Sequence, residues 1–265
     1  MTSQDSADWS AEQIGQFIEG LATAPGGDEG FKFGDPQASV TGVLVCWMTT
    51  LEALQQAAAE GCDMIICHEQ MDYPYSFRAS GAENYLTWTV NRRRISQLVQ
   101  HGLIVYRAHG MLDHFCILDD FGKLLGLGEP VVSEELFRVY DMPPQSVAEL
   151  VEEVKRCMGM RHLRVVCRDP ERMVKRPGLP WGGLGLSLNV GYIERLLRYH
   201  PDVLIAGESD EYAMFYALDA DIPLIETSHV ASENYGLRHF AEHLAANFPG
   251  LKVIFHECPV PWEAR

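Results

Sequence analysis

The run Val40-Thr-Gly-Val-Leu-Val-Cys-Trp47 is apolar and β-branched, and Met64-Ile-Ile-Cys67 repeats that character directly before His68-Glu69. Both runs are too short for helices and read as strands buried on two faces. Between them, Thr50 to Glu60 sets Leu51, Leu54 and Ala57/Ala58 on one helical stripe, and Gly61 marks its stop. Further along, Asn91 to His101 predicts a second helix and Leu103-Ile-Val-Tyr106 a third strand. Strand, helix, strand, helix, strand is a βαβαβ pattern. It implies a mostly parallel sheet with right-handed crossovers, and so an α/β fold.

On the N-terminal side, Ser10 to Ala22 predicts an amphipathic helix with Ile14, Phe17, Ile18 and Leu21 at helical spacing, and Pro25 to Pro36 a loop rich in Gly and Pro. On the C-terminal side, the middle of the chain is less regular. Ser146 to Met158 reads as a helix, Leu163 to Cys167 as a strand, Pro177 to Gly185 as a loop and Tyr192 to Tyr199 as a short helix. The alternation then resumes. Val203 to Ala206 is a strand, Glu211 to Leu218 a helix, Pro223 to Glu226 a strand, Gly236 to Phe248 a helix and Val253 to Phe255 a last strand. No internal repeat, low-complexity tract or linker interrupts this order. The expectation is one unit over 1–265, with approximate halves 1–130 and 131–265 packed around a shared site.

The 265 residues carry a formal net charge of -16, with 47% hydrophobic and 22% charged residues. That is an ordinary globular composition. The acidic balance argues against nucleic acid or an anionic membrane surface as a partner, because phosphate would be repelled. The polar start, Met1 to Gln13, lacks the basic and apolar regions of a signal peptide. No apolar run is long enough to span a bilayer. Seven scattered cysteines without a C-x-x-C pair fit free thiols in a reducing cytoplasm.

Four strand ends carry groups able to hold a metal: His68-Glu69, His109-xxx-Asp113, Gly207-Glu208 and His229-xxx-Glu233. In open α/β sheets, ligands collect at the carboxyl ends of strands. Imidazole and carboxylate together suit Fe, Mn or Zn. The H-x-x-x-E spacing allows both groups on one helical face.

Three ordered motifs carry a family resemblance. Asp63-Met-Ile-Ile-Cys-His68-Glu69 resembles D-x-I-I-x-H-H. Val105-Tyr-Arg-Ala-His109-Gly-Met-Leu-Asp113 resembles Y-x-A-H-x-x-L-D. Ala206-Gly-Glu208, then Ser228-His229-Val-Ala-Ser-Glu233, resembles T-G-E followed by G-H-x-x-[ST]-E. These are signatures of the Nif3-like (DUF34) family, and the likeness runs from about Gly42 to Phe255. The resemblance implies mostly parallel sheets flanked by helices, two βαβ halves forming a metal site, and a homo-oligomer, in many members a toroidal hexamer. Many members carry a GTP cyclohydrolase label. The resemblance also implies that His68, His229 and Glu233 serve one metal, while Glu69, Asp113 and Glu233 are offered to a second.

Glu69 departs from the pattern, which has His there. The first set still resembles the two-histidine, one-carboxylate arrangement of non-haem Fe(II) oxygenases. The second becomes all-oxygen. One ion is therefore expected rather than two, with Fe(II) first and Mn or Zn as alternatives. The leading expectation is an O2-using iron enzyme that opens or rearranges a small heterocycle, the nucleoside-like class among them, with His109 or Glu69 handling protons. The alternatives are a two-metal hydrolase of cyclohydrolase type, or a non-catalytic metal-binding or metallochaperone protein.

Other patterns read more plainly. His239-Phe-Ala-Glu-His243 matches an inverted zincin motif, but its helix turns Leu237, Phe240, Ala241 and Leu244 to a core and leaves the histidines at the edge. His114 reads as a bystander, Arg92-Arg-Arg94 as a solvated helix face, and Cys67 as a buried strand cysteine. Trp181-Gly-Gly-Leu-Gly-Leu lacks the residues of a phosphate loop but can line a pocket with backbone groups.

Overall fold

The computed structural model describes residues 9–21, 27–74 and 84–264. The chain divides into two compact units, Met1–Cys116 with Leu237–Cys258, and Ile117–Gly236 with Pro259–Arg265. The start of the polar N-terminal stretch and part of the Pro25 to Pro36 loop lie outside the described residues.

In the first unit, α1 (Ala11–Glu19) precedes β1 (Gly30–Phe33), β2 (Gly42–Cys46), α2 (Leu51–Ala59), β3 (Met64–Cys67), α3 (Thr89–His101) and β4 (Ile104–Arg107). The chain's final strand, Lys252–His256, completes the sheet. The order across it is final strand, β2, β3, β4, β1. The first three neighbours pair in parallel and β1 pairs antiparallel with β4. Every residue of β2, β3 and β4 is buried, as continuous apolar runs in a covered parallel sheet require. Each buried Val, Leu or Ile there contributes about 1.5–3 kcal/mol.

Caps fix where the helices begin and end. Thr50 accepts the Ala53 amide at 3.1 Å and starts α2. Ser10 and Gln13 form a reciprocal capping box on α1. Gly102, at φ 62°, closes α3. The register then aligns the strand ends: Cys67 stands opposite Arg107. His68 and Ala108 thus leave the sheet side by side.

One expectation fails in this unit. The Pro25 to Pro36 segment is not wholly loop, since Gly30–Phe33 is a strand on the sheet edge. Its ladder is irregular between Phe31 and Phe33, which hides the period. What holds it is Phe31, packed edge-on against Tyr106 with ring centroids 5.0 Å apart.

In the second unit, β5 (Val132–Glu134), β6 (Phe137–Val139), α4 (Val147–Met158), β7 (Arg164–Val166), β8 (Pro177–Gly178), α5 (Val190–Leu197), β9 (Val203–Ala206), α6 (Glu211–Asp219) and β10 (Leu224–Glu226) follow in order. The sheet order is β7, β10, β9, β8, β6, β5. Its centre, β8–β9–β10, is parallel, and β7, β6 and β5 pair antiparallel. The parallel pattern thus holds at the heart of the sheet and gives way toward its edges. The edge strand β7 leaves Arg164 and Val165 exposed. Ala206 stands opposite Glu226, so Glu208 and His229 lie just beyond two adjacent strand ends.

The last helix, α7, runs from His229 to Asn247. The expected start at Gly236 is about two turns late. The early residues Ala-Ser-Glu-Asn are weak in apolar period, and hydrogen bonding sets the start instead: Ser232 N donates to Ser228 O at 3.0 Å. The unit boundary also differs from the expected halves, because Leu237–Cys258 groups with the first unit through the final strand. No helix among the described residues is long and apolar enough to cross a membrane.

Candidate functional site

In the first unit, His68 follows β3 directly and is 1% exposed. Its Nδ1 lies 3.0 Å from the Ala108 carbonyl. A carbonyl only accepts, so Nδ1 carries a proton, and the tautomer that ligates a metal then has its lone pair on Nε2. That Nε2 faces Asp113 Oδ1 at 3.5 Å. Two acceptors facing one another need a cation or a proton between them, and a histidine oriented by a backbone carbonyl is the usual form of a metal ligand. His68, His109 and Asp113 offer ligand atoms within 4.8 Å of one another. Asp113 comes to this place because His109 to Asp113 makes one helical turn, with Asp113 N donating to His109 O at 3.1 Å.

His109 stands with its ring 4.9 Å from that of His68, and its Nδ1 is 3.2 Å from Asp28 Oδ2. Burial works against a charged ring. The hydrogen bond to Asp28 and the fields of Asp113 and Glu69 outweigh it and raise the group to about 9. The same hydrogen bond draws Asp28 down to about 2.

Glu69 is 4% exposed. Its Oε2 lies 3.6 Å from the Arg107 guanidinium. Arg107 is itself 2% exposed, pairs with Asp28 at 2.8 Å and donates from Nε to the His68 carbonyl at 3.1 Å. Sequence reasoning missed both Arg107 and Asp28. The available signal was a charged residue closing an otherwise apolar strand.

In the second unit, His229 and Glu233 open α7 one turn apart, with Nε2 3.1 Å from Glu233 Oε1. The other ring nitrogen lies 3.1 Å from Glu208 Oε2. A neutral imidazole has one N–H for two carboxylates. With Nδ1–H on Glu208, the Nε2 lone pair and Glu233 form a donor pair suited to a divalent cation. Ser228, just before His229, has φ 89°, a conformation that favours the glycine the family pattern places there.

The Trp181-Gly-Gly-Leu-Gly segment packs against this pair. Gly182 has φ 52°, and a Cβ there would collide with Glu233 Oε1 and approach His229 Nε2 to 3.3 Å. Its amide donates to Ser232 Oγ at 3.1 Å. The glycines serve close approach rather than phosphate binding.

The donor sets of both units therefore fit metal binding. The remaining motifs do not add to them. His239 and His243 pack on Phe115, with ring centroids 5.9 Å and 4.8 Å away, and His243 stacks on Phe17. His114 is exposed. Arg92 and Arg93 are exposed, but Arg94 is buried and donates to Met71 O at 2.7 Å, so the basic run is not one solvated face. Cys67 is fully buried, and burial pushes its thiol up to about 12.

Known proteins resemble the chain in sequence and in fold. A Yersinia pestis protein named GTP cyclohydrolase 1 type 2 homolog is 28% identical over 233 residues, covering 86% of each chain. The solved structure of protein ybgI superposes with a TM-score of 0.79 at 23% identity, covering 96% of this chain and 100% of that one. A Bacillus cereus protein related to NIF3 superposes with a TM-score of 0.77 at 13% identity, covering 97% and 99%. The family model described as Duf34/NIF3 (NGG1p interacting factor 3) matches residues 13–260. Only the two ends of the chain fall outside that match, and the protein belongs to the Duf34/NIF3 family.

Proposed function

We propose that this chain is a metal-dependent hydrolase acting on a small heterocyclic substrate of the purine nucleotide kind. Its metal ligands are His68 and Asp113 in the first unit and, as the family resemblance implies, His229 and Glu233 in the second. The observation that carries the metal reading is the His68 ring, held by Ala108 so that Nε2 faces Asp113 Oδ1 at 3.5 Å. The relatives' name, GTP cyclohydrolase 1 type 2 homolog, supports hydrolysis and a GTP-like ring. It lends no support to the oxygenase expectation.

When bound, the metal supplies Lewis acidity and a more acidic water. The chain's residues do the rest. Ala108 O and Glu208 fix the two ligand rings through their Nδ1 atoms. His109, hydrogen-bonded to Asp28 through Nδ1, is the group placed beside His68 to move a proton to or from substrate.

The test is metal content by mass spectrometry, paired with the ultraviolet spectrum of GTP incubated with Zn-, Mn- and Fe(II)-loaded protein. Loaded wild type is expected to open the purine ring, with His68→Ala and Glu233→Gln losing both metal and turnover. A loaded chain that leaves GTP and other purine nucleotides unchanged sinks the hydrolase reading. Uptake of O2 by the iron form restores the oxygenase.

A further inference from the structure

A carboxylate as buried as Glu69 requires a compensating positive charge close by. Arg107 supplies one at 3.6 Å. The guanidinium is held from three directions, by Glu69, by Asp28 at 2.8 Å and by the His68 carbonyl at 3.1 Å. Arginine does not lose its proton in proteins, so this charge is permanent. A metal ion bound to Glu69 would lie about 2.0–2.2 Å from its oxygen. It would then stand roughly 5 Å from a fixed cation in a buried setting, where like charges repel by many times RT.

We propose that Arg107 takes the place of a metal ion at Glu69. Glu69 is the guanidinium's partner and not a ligand, and the first unit takes its ion through His68 and Asp113. The ion that the resemblance offers to Glu69 does not fit this chain. This rests on the metal reading above and sharpens it: the departure from a His-His pair is compensated within the chain, by a positive charge at the end of β4. The Asp28 carboxylate, on the far arm of the same guanidinium, is shared with His109, whose Nδ1 lies 3.2 Å away.

The experiment is equilibrium dialysis against Mn(II) and Zn(II) with metal counting, backed by the Mn(II) paramagnetic resonance signal. Glu69→Gln is expected to keep the wild-type ion count, with affinity changed by no more than about tenfold, the lower end for a group that only supports a ligand. Arg107→Lys should keep the count as well. Arg107→Gln takes the fixed cation away from the Glu69 carboxylate and should gain one ion per chain. The double variant Glu69→Gln/Arg107→Gln should lose that gain.

Release of one ion by Glu69→Gln alone would overturn the proposal. So would an Arg107→Gln variant that folds, by circular dichroism, and gains nothing. If Arg107→Gln does not fold, the Glu69→Gln count still decides. Loss of the ion in His68→Ala tests the metal reading separately. A wild type holding no ion sinks that reading, while the gain in Arg107→Gln continues to decide the role of Arg107.

Discussion

The Ser232 hydroxyl accepts the Gly182 amide at 3.1 Å and donates to the His229 carbonyl at 2.7 Å. One side chain thus ties the glycine loop to the first turn of α7, the turn that presents His229 and Glu233. Gly182→Ala puts a methyl group onto Glu233 Oε1. Overpacking of this kind costs about 1–3 kcal/mol, and here it displaces the ligand proposed above. The expected result is a folded protein with a lower melting temperature and metal affinity reduced at least tenfold. Unchanged metal affinity would show that Glu233 does not ligate.

Glu208 holds His229 Nδ1 at 3.1 Å. A carboxylate behind a ligand histidine fixes its tautomer, and its loss costs about 10–100-fold in metal affinity. Glu208→Ala should show that loss while its melting temperature without metal stays near wild type, because the Glu208 side chain is 45% exposed. Glu208→Asp should recover part of the affinity. Equal melting shifts with and without metal would argue for a merely structural role.

Glu226 is 2% exposed and paired with Arg164. Burial raises its pKa above 4.5, and Arg164 opposes that rise. Breaking a buried pair costs about 3–5 kcal/mol, but Arg164 is half exposed, so screening brings the expected loss in Arg164→Ala nearer about 1 kcal/mol. The sign with pH follows. Below 4.5 Glu226 is protonated in both folded and unfolded chains and the penalty vanishes; it grows as pH rises through the folded value. Thermal melts at acid and neutral pH should diverge in that order. A penalty that shrinks toward neutrality contradicts it.

The capping box of α4 joins Ser146 and Glu149. Ser146 Oγ accepts the Glu149 amide at 3.2 Å, and Glu149 accepts the Ser146 amide at 2.8 Å. Ser146→Ala is expected to cost about 1 kcal/mol, read by denaturant titration. Metal binding should be unaffected. Ser146→Asp, which also caps, should restore most of the stability.

The buried strands and most of the helices are legible in the sequence because their periods and caps are local. Thr50, Gly61 and the run Met64-Ile-Ile-Cys67 need no tertiary information. The strand Gly30–Phe33 does need it, because an edge strand held by Phe31 on Tyr106 leaves little periodic trace. The start of α7 at His229 is invisible for a different reason: Ala-Ser-Glu-Asn has little apolar period, and the bond from Ser232 N to Ser228 O marks it only in the fold. Among site residues, His68, His109, Asp113, His229 and Glu233 stand out by type and position at strand ends. Arg107 and Asp28 do not, since their meaning lies in a charge pairing that only the fold assembles.

The sheet of the second unit has all its strands by Glu226. That of the first does not, because Lys252–His256 pairs with Gly42–Cys46 residue for residue. As the chain leaves the ribosome, β2 therefore waits with one hydrogen-bonding edge open until some two hundred residues later. An apolar strand with an open edge is a template for pairing with other chains. A stop codon before Lys252 would leave that edge of β2 open in the finished chain.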